Sequence, residues 1–527
     1  MKKRFSALLL CFVLLAAAFS GCGGGASGAE TIRMDIDGPV ENLDPQFATD
    51  PTARMILSNL FEGLTVKSPD GSVRLGAAAD YQITPDGLTY TFTLREDTRW
   101  EDGSPVVAAD FVFAFTRLFA PQAPSPFSEE FAVIAGAREV MAGTAPPSAL
   151  GVTARGTDTV VFTLEQPLAD FLSRLAGTAA LPCNRAAFER SHGRYGLEAR
   201  YVHANGPFLL SRWDNARFLQ LERNSHFRAD ASGLFQRVIL HIGRDDPVKQ
   251  FLDGRSDLLR VPSGGQEQLA GRSAELIPGE RTIWALVFNQ NVSPWNNTLL
   301  RQSLALTLDR HLYSEHLPQH LRATPVFIPP AALIDGQSFR ASFGEASPLG
   351  LDVRAGRRLF ARGLDWIEQP ALPASNLVFL EAHLPYLELL EMAWAGELGA
   401  SLTLTAATAE QMSARRSQGD FGLALLPFSL SSQGPGSVLA PFHSAGGRGG
   451  FGYQNPRFDH ALELAARAES AEEAARHYHL AETILLEDAA VIPLFFETTY
   501  YALARGLTGV EIFPYGNQIH FHNARRS

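Results

Sequence analysis

The sequence predicts a mixed α/β protein of several sheets in interleaved domains, and three observations carry that prediction. Runs with period-two alternation, such as residues 31–36 and 89–95, read as half-buried strands. Apolar residues at helical spacing span 110–118, 299–308, 386–398 and 459–486, so helices and strands are mixed along the whole chain. Length alone would allow several units, yet no Pro/Ser-rich linker divides the body, so the chain is expected to cross between domains more than once. No internal repeat at a fixed period suggests a propeller or solenoid.

Taken in order, Lys2, Lys3 and Arg4 precede an apolar run over residues 7–19 that ends in Ser20-Gly21-Cys22. This reads as a signal peptide over 1–21, with Cys22 as the expected lipid-bearing N-terminus of a lipoprotein. Ordinary secretion is the alternative, because Phe19 stands where such signals usually carry Leu. The run is shorter than the roughly 20 residues a spanning helix needs. Residues 22–29, rich in Gly, would be a flexible tether holding the body off a membrane.

Cys11 leaves with the signal and Cys22 is the anchor, so Cys183 is expected to have no disulfide partner within the chain. Stability must then come from large cores, which a chain with 46% hydrophobic residues can build. Removing the three basic signal residues takes the formal charge from −11 to −14. With no basic cluster, nucleic acid is not an expected partner.

Pro85-Asp86-Gly87, Glu101-Asp102-Gly103 and Asn205-Gly206-Pro207 are hairpin or boundary signals. Asp110, directly before an apolar helical run, is expected to cap that helix. Arg301 and the Asp309-Arg310 pair bracket another helix and are expected to form surface ion pairs. Histidines cluster at His311, His316 and His320, at His477 and His479, and at His520 and His522. Pro318 spoils a helix through the first group. On a strand His520 and His522 would point the same way, but a pair without a third ligand reads as a polar strand face, so no metal or other cofactor is expected. The Gly-x-Ser-x-Gly elbow, phosphate loop and paired Cys-x-x-Cys are missing, and no enzyme is expected.

Five blocks then carry a resemblance: "NLDPQFATDPTARMILSNLFEGL" (42–64), "ITPDGLTYTFTLREDTRWEDGSPVVAADFVFAF" (83–115), "NGPFLLSRWDNARFLQLERNSHF" (205–227), "FNQNVSPWNNTLLRQSLALTLDR" (288–310) and "AETILLEDAAVIPLFFETTYYALARGLTGV" (481–510). In order and spacing the chain resembles the extracytoplasmic solute-binding proteins of the oligopeptide and dipeptide class, family 5 of the ABC substrate-binding proteins. The resemblance implies a two-lobed periplasmic binding protein fold of class II type with an additional domain inserted in the first lobe. Lobe I would comprise residues 30–74, 205–283 and 498–527, the inserted domain 75–204, and lobe II 284–497. A small solute or peptide ligand would sit between the lobes, and closure would present it to an ABC permease in the cytoplasmic membrane. A monomer is expected, in the periplasm or at the cell surface, joined to the membrane through Cys22.

By the same resemblance, Glu62 falls near the ligand on lobe I, His383 and Arg416 fall where relatives meet a carboxylate end, and Phe428 takes the place of a cleft aromatic. Surface or core roles are the simpler alternatives for each. Two positions depart from the pattern. Leu425 replaces an arginine, and Ser431 replaces the aspartate that pairs with a peptide's α-amino group. No Asp, Glu, Lys or Arg occurs between Asp420 and Arg448. Leu425, Leu426, Pro427 and Phe428 are expected to make an apolar wall, with Ser431 and Ser432 on the loop beyond it. The expected function is therefore capture of a peptide or peptide-like solute by hinge closure, with weight shifted to a ligand lacking a free amine. A sensory or chaperone role with a membrane receptor is the alternative.

Overall fold

A computed structural model of the protein describes residues 31–168, 170–228, 233–272, 274–430, 434–445, 450–468 and 470–527. The expected signal peptide and tether, Cys22, Ser431 and Ser432 lie outside these residues. Among the described residues no helix is long and apolar enough to cross a membrane.

The first alternating run forms strand β1, Thr31–Ile36. Helix α1, Pro51–Leu60, starts where Asp50 accepts the amide of Ala53 at 2.8 Å and Pro51 fixes the first turn. It ends against the Asn205-Gly206 motif. The Gly206 amide donates to the Leu60 carbonyl at 2.8 Å, and a Cβ at 206 would lie 2.6 Å from the Leu60 carbonyl carbon. Only glycine permits that approach.

Strands β2 (Ala78–Ile83), β3 (Thr89–Leu94), β4 (Val152–Arg155) and β5 (Thr159–Thr163) form an antiparallel sheet in the order β2-β3-β5-β4. Helix α2, Ala108–Leu118, packs on it through Phe115, whose ring meets Phe162 edge-on at 5.1 Å. Asp110 occupies the third helical position, not the cap. Its Oδ2 accepts the amide of Val107 at 3.0 Å and the indole N–H of Trp100 at 3.1 Å, fastening the turn at 100–103 to the helix. Cys183 is free and buried, and burial pushes its thiol up to about 11.

The remaining long strands are β6 (Phe208–Asp214), β7 (Phe218–Arg223), β8 (Arg237–Ile242), β9 (Leu258–Val261), β10 (Ala274–Phe288), β11 (Leu321–Ala323), β12 (Ser375–Leu380), β13 (Leu402–Ala407), β14 (Leu423–Ser429) and β15 (Val491–Ala504). With β1 they form one 11-stranded sheet in the order β13-β12-β14-β10-β15-β9-β1-β8-β7-β6, with β11 paired to β15. Helices α3 (Thr298–Leu306), α4 (Leu384–Leu398), α5 (Ala409–Gln418), α6 (Pro456–Arg467) and α7 (Ala471–Glu487) belong to the β12–β14 side of the chain. The periodic run 459–486 is thus two helices, because Ser470 accepts the amide of Glu473 at 3.2 Å and caps a new start.

Strands β10 and β15 run through both halves of this sheet. Near its start β10 pairs with the end of β15 beside β9, while from Thr282 onward it pairs with β14 as well. Alternate side chains of the second half enter different cores: Ile283, Ala285 and Val287 face one, Trp284, Leu286 and Phe288 the other. A separate large core joins β1, α1, the four-stranded sheet and β6–β8.

Arg301 and Arg310 correct the expectation of surface pairs. Arg301 is buried and donates to the carbonyls of Trp295 at 2.7 Å, Asp488 at 3.0 Å and Ala489 at 3.2 Å. Arg310 likewise donates to the carbonyls of Thr324 and Pro493, and Asp309 caps the short helix Arg310–Ser314. Both guanidiniums terminate backbone segments inside the fold.

Candidate functional site

The register of β10 against β15 shifts between Glu280 and Thr282 and again between Trp284 and Ala285. Such irregularities bend a strand and re-aim its side chains. They fall where the two halves of the large sheet meet, and here several polar groups collect inside otherwise apolar strands.

Glu497 on β15 spans this seam. One carboxylate oxygen accepts the indole N–H of Trp284 at 2.8 Å, from the β14 side, and the other accepts the Ser263 hydroxyl at 3.2 Å, from the β9 side. Thr282 and Ser429 share a hydrogen bond at 2.8 Å across β10 and β14. Glu280 accepts from Nε and Nη2 of Arg322, at 3.2 and 2.9 Å, and Arg322 also grips Glu345. Next to Glu497 lies a cleft of about 340 Å³, lined by Asp37, Arg260, Ser263, Thr499 and Tyr500 among others.

Arg281 differs from these neighbours. It is 4% exposed, lies 5.6 Å from the Tyr501 ring centre and donates to the Tyr501 hydroxyl at 3.3 Å. No carboxylate pairs with it among the described residues. A buried guanidinium with a phenol as its hydrogen-bond partner is open to an anionic group.

His383 joins the same seam. Its ring centre lies 4.2 Å from that of Trp284 and 5.8 Å from that of Phe495, and its Nδ1 has no hydrogen-bond partner among the described residues. Burial lowers its pKa below the ordinary value, against the opposing pull of Glu497. The neutral imidazole therefore keeps a buried polar nitrogen free for a ligand atom. His320, nearby, has an unpartnered Nδ1 as well.

The other expected residues are dispersed. Glu62 is buried just after α1, and its carboxylate is held in a fork by Arg228 at 2.5 and 2.6 Å. Asn205 fixes the same residue through its backbone, at 3.1 and 3.0 Å. Phe428 is core, its ring 5.1 Å from Phe327 and 5.5 Å from Phe442. Arg416, half-buried, lies over Phe451 at 5.5 Å, and burial lowers its pKa. Arg416 and Phe428 thus converge on Phe451 in one core, while His383 packs on Trp284 in the other.

The continuous apolar wall expected from Leu425 to Phe428 is split in two. Leu423 and Leu425 enter one core and Leu426 and Phe428 the other, as strand alternation requires, and Pro427 and Ser429 are the exposed members of β14. Arg281, Trp284 and Glu497 did not emerge from the sequence. The available signal was charge at the edge of or within an apolar strand: Glu280-Arg281 opening "ERTIWALVF" and Glu497 in "VIPLFFETTYY". Among the described residues, the one group of three side chains with metal-ligand spacing lies elsewhere, at Glu511, His520 and His522, which gives the histidine pair the third donor that the sequence did not reveal.

Residues 72–361 match the model of a family described as bacterial extracellular solute-binding proteins, family 5 Middle. The chain is 24% identical to the dipeptide-binding protein DppE of Bacillus subtilis, over 93% of this chain and 91% of that protein. It is 28% identical to the "Probable deoxycholate-binding periplasmic protein YgiS" of Escherichia coli, over 86% of each. Among solved structures, Listeria monocytogenes OppA bound to peptide superposes with a TM-score of 0.76 at 20% identity, covering 95% of this chain and all of that one. The fold is accordingly that of the two-lobed binding proteins.

Because burial holds His383 below its free value of 6.5, the unfolded chain takes up the proton first, and stability is lost as pH falls from about 6.5 toward the folded pKa. His241, His479 and His522 are shifted the same way, so a difference measurement isolates His383. Between about pH 7.5 and pH 5, His383→Phe is expected to lose less stability than the parent, read as the shift in urea midpoint. An equal loss in the two proteins would show that His383 is not a buried neutral histidine.

Proposed function

The chain belongs to the bacterial extracellular solute-binding proteins of family 5, and from that membership we propose that it captures a peptide-like or other organic solute for an ABC importer. In this reading residues 30–74, 205–283 and 498–527 form lobe I, 75–204 an inserted domain, and 284–497 lobe II. Strands β10 and β15 are the connection. Capture is reversible and non-covalent: contacts from a ligand to both lobes favour the closed arrangement, which a permease then recognises. Glu497 links Ser263 to Trp284 across that boundary. Cys22 ties the body to a membrane, and palmitate labelling is expected to vanish in Cys22→Ala.

The reading of the ligand rests on one asymmetry of charge. Glu280 and Glu497 are each already held by protein donors, whereas the buried Arg281 has no acid partner among the described residues. An ammonium group entering the seam would find its carboxylates engaged. A carboxylate would find Arg281. The ligand is thus an organic acid without a free α-amine, such as an N-blocked peptide. The relative named for deoxycholate fits this chemistry, since deoxycholate carries a carboxylate and no amine.

Thermal melting with matched free and N-acetylated peptides, with bile acids included, tests this reading. Acetylated or amine-free acids are expected to stabilise the protein, and Arg281→Gln to weaken their binding by about 2–5 kcal/mol. Stabilisation by free peptides alone, undiminished in Arg281→Gln, would overturn the assignment.

A further inference from the structure

The C-terminal segment folds into a small hairpin of β16 (Glu511–Ile512) and β17 (Ile519–His520), in which Glu511 and His520 stand directly opposite. His522 follows two residues later along the chain. One donor atom from each of the three lies within 4.8 Å of the others. Glu511 Oε2 is 3.6 Å from His520 Nδ1, and Glu511 Oε1 is 3.7 Å from His522 Nε2. In a tetrahedral site with bonds of about 2.1 Å, donors stand about 3.4 Å apart. The three side chains are already close to that spacing, and the hairpin register holds two of them there.

Two further observations point to a ligand. Glu511 Oε2, the oxygen that faces His520 Nδ1, is a buried polar atom without a hydrogen-bond partner among the described residues, a state that costs free energy unless something satisfies it. Asn523 Nδ2 sits 2.9 Å from His522 Nε2 and 3.3 Å from Glu511 Oε1. Glu511 Oε1 accepts from that amide, and it faces His522 Nε2 across 3.7 Å, a gap that a cation would bridge.

We propose that Glu511, His520 and His522 form a binding site for one divalent transition-metal ion of the zinc class. Two imidazoles and one carboxylate suit zinc, nickel or copper, and not calcium or magnesium, which take oxygen donors. The ion would close the hairpin whose connecting loop carries Phe513 and Tyr515 into the core shared with β14. It would also neutralise the Glu511 carboxylate beside the His520 ring, which in turn packs on Phe513. The seam is not involved, and this site stands or falls independently of the ligand.

The test uses the mature chain, made without a histidine tag and stripped by chelation, with zinc chloride alone as probe. Calorimetry is expected to give one equivalent of saturable binding, accompanied by a rise in melting temperature. His520→Ala, His522→Ala and the isosteric Glu511→Gln are each expected to weaken binding by about tenfold or more. Their zinc-free melting temperatures, close to the parent's, establish that they fold. If the histidine variants fail to fold, Glu511→Gln alone decides. Absence of saturable binding, or binding unchanged by the substitutions, would overturn the proposal, as would equal affinity for calcium.

Discussion

Strands β10 and β15 are the constraint on which the rest of the molecule depends, because they are paired with each other from Ala274↔Ala504 through Val287↔Val491 while their other neighbours change midway. At one end β15 is flanked by β9; at the other β10 is flanked by β14. A backbone ladder must satisfy every buried amide and carbonyl, so both halves of the sheet are committed to this pair. The two register shifts are where the pair can bend without losing its hydrogen bonds elsewhere. Arg281, Thr282, Trp284 and Glu497 sit at or beside those shifts. The side chains at the seam are there because the ladder is irregular there.

That placement has an electrostatic consequence. Burying a guanidinium without an acid is unfavourable, and a protein tolerates it only where the surrounding structure is secure. Here apolar cores flank both faces of the second half of the ladder, and Arg281 is enclosed at its edge. The acids around it are spent on protein partners, Glu497 on Trp284 and Ser263, Glu280 on Arg322. A site with free cationic character and saturated carboxylates selects by what it leaves unpaired. The absence of charge from β14 into its following loop fits the same picture, since the sequence there offers no acid to an ammonium group.

Much of the architecture was legible in residue periodicity. Residues 31–36 and 89–94 alternate and form strands, and the runs beginning near 110, 299 and 386 form helices, because in each the spacing of apolar side chains and the local caps agree. The division of 459–486 was hidden because Ser470 interrupts the helix without disturbing its apolar period. Arg301 and Arg310 were misread for a different reason: their partners are carbonyls far along the chain, at 488–489, 493 and 324. The seam was legible only in part. Alternation alone could have separated Leu425 from Phe428, whereas the Glu497–Ser263 contact joins residues 234 positions apart, and the chain between them must be placed first. Glu511 likewise meets His520 only through the hairpin register.

The central claim is that the seam selects a solute with an acidic group and no free amine. Native mass spectrometry of whatever co-purifies with the mature protein, followed by amine-reactive derivatisation of the released compound, tests it most directly. The account predicts a stoichiometric organic acid that the amine reagent leaves unchanged. A released peptide whose α-amine is labelled by the reagent would contradict it.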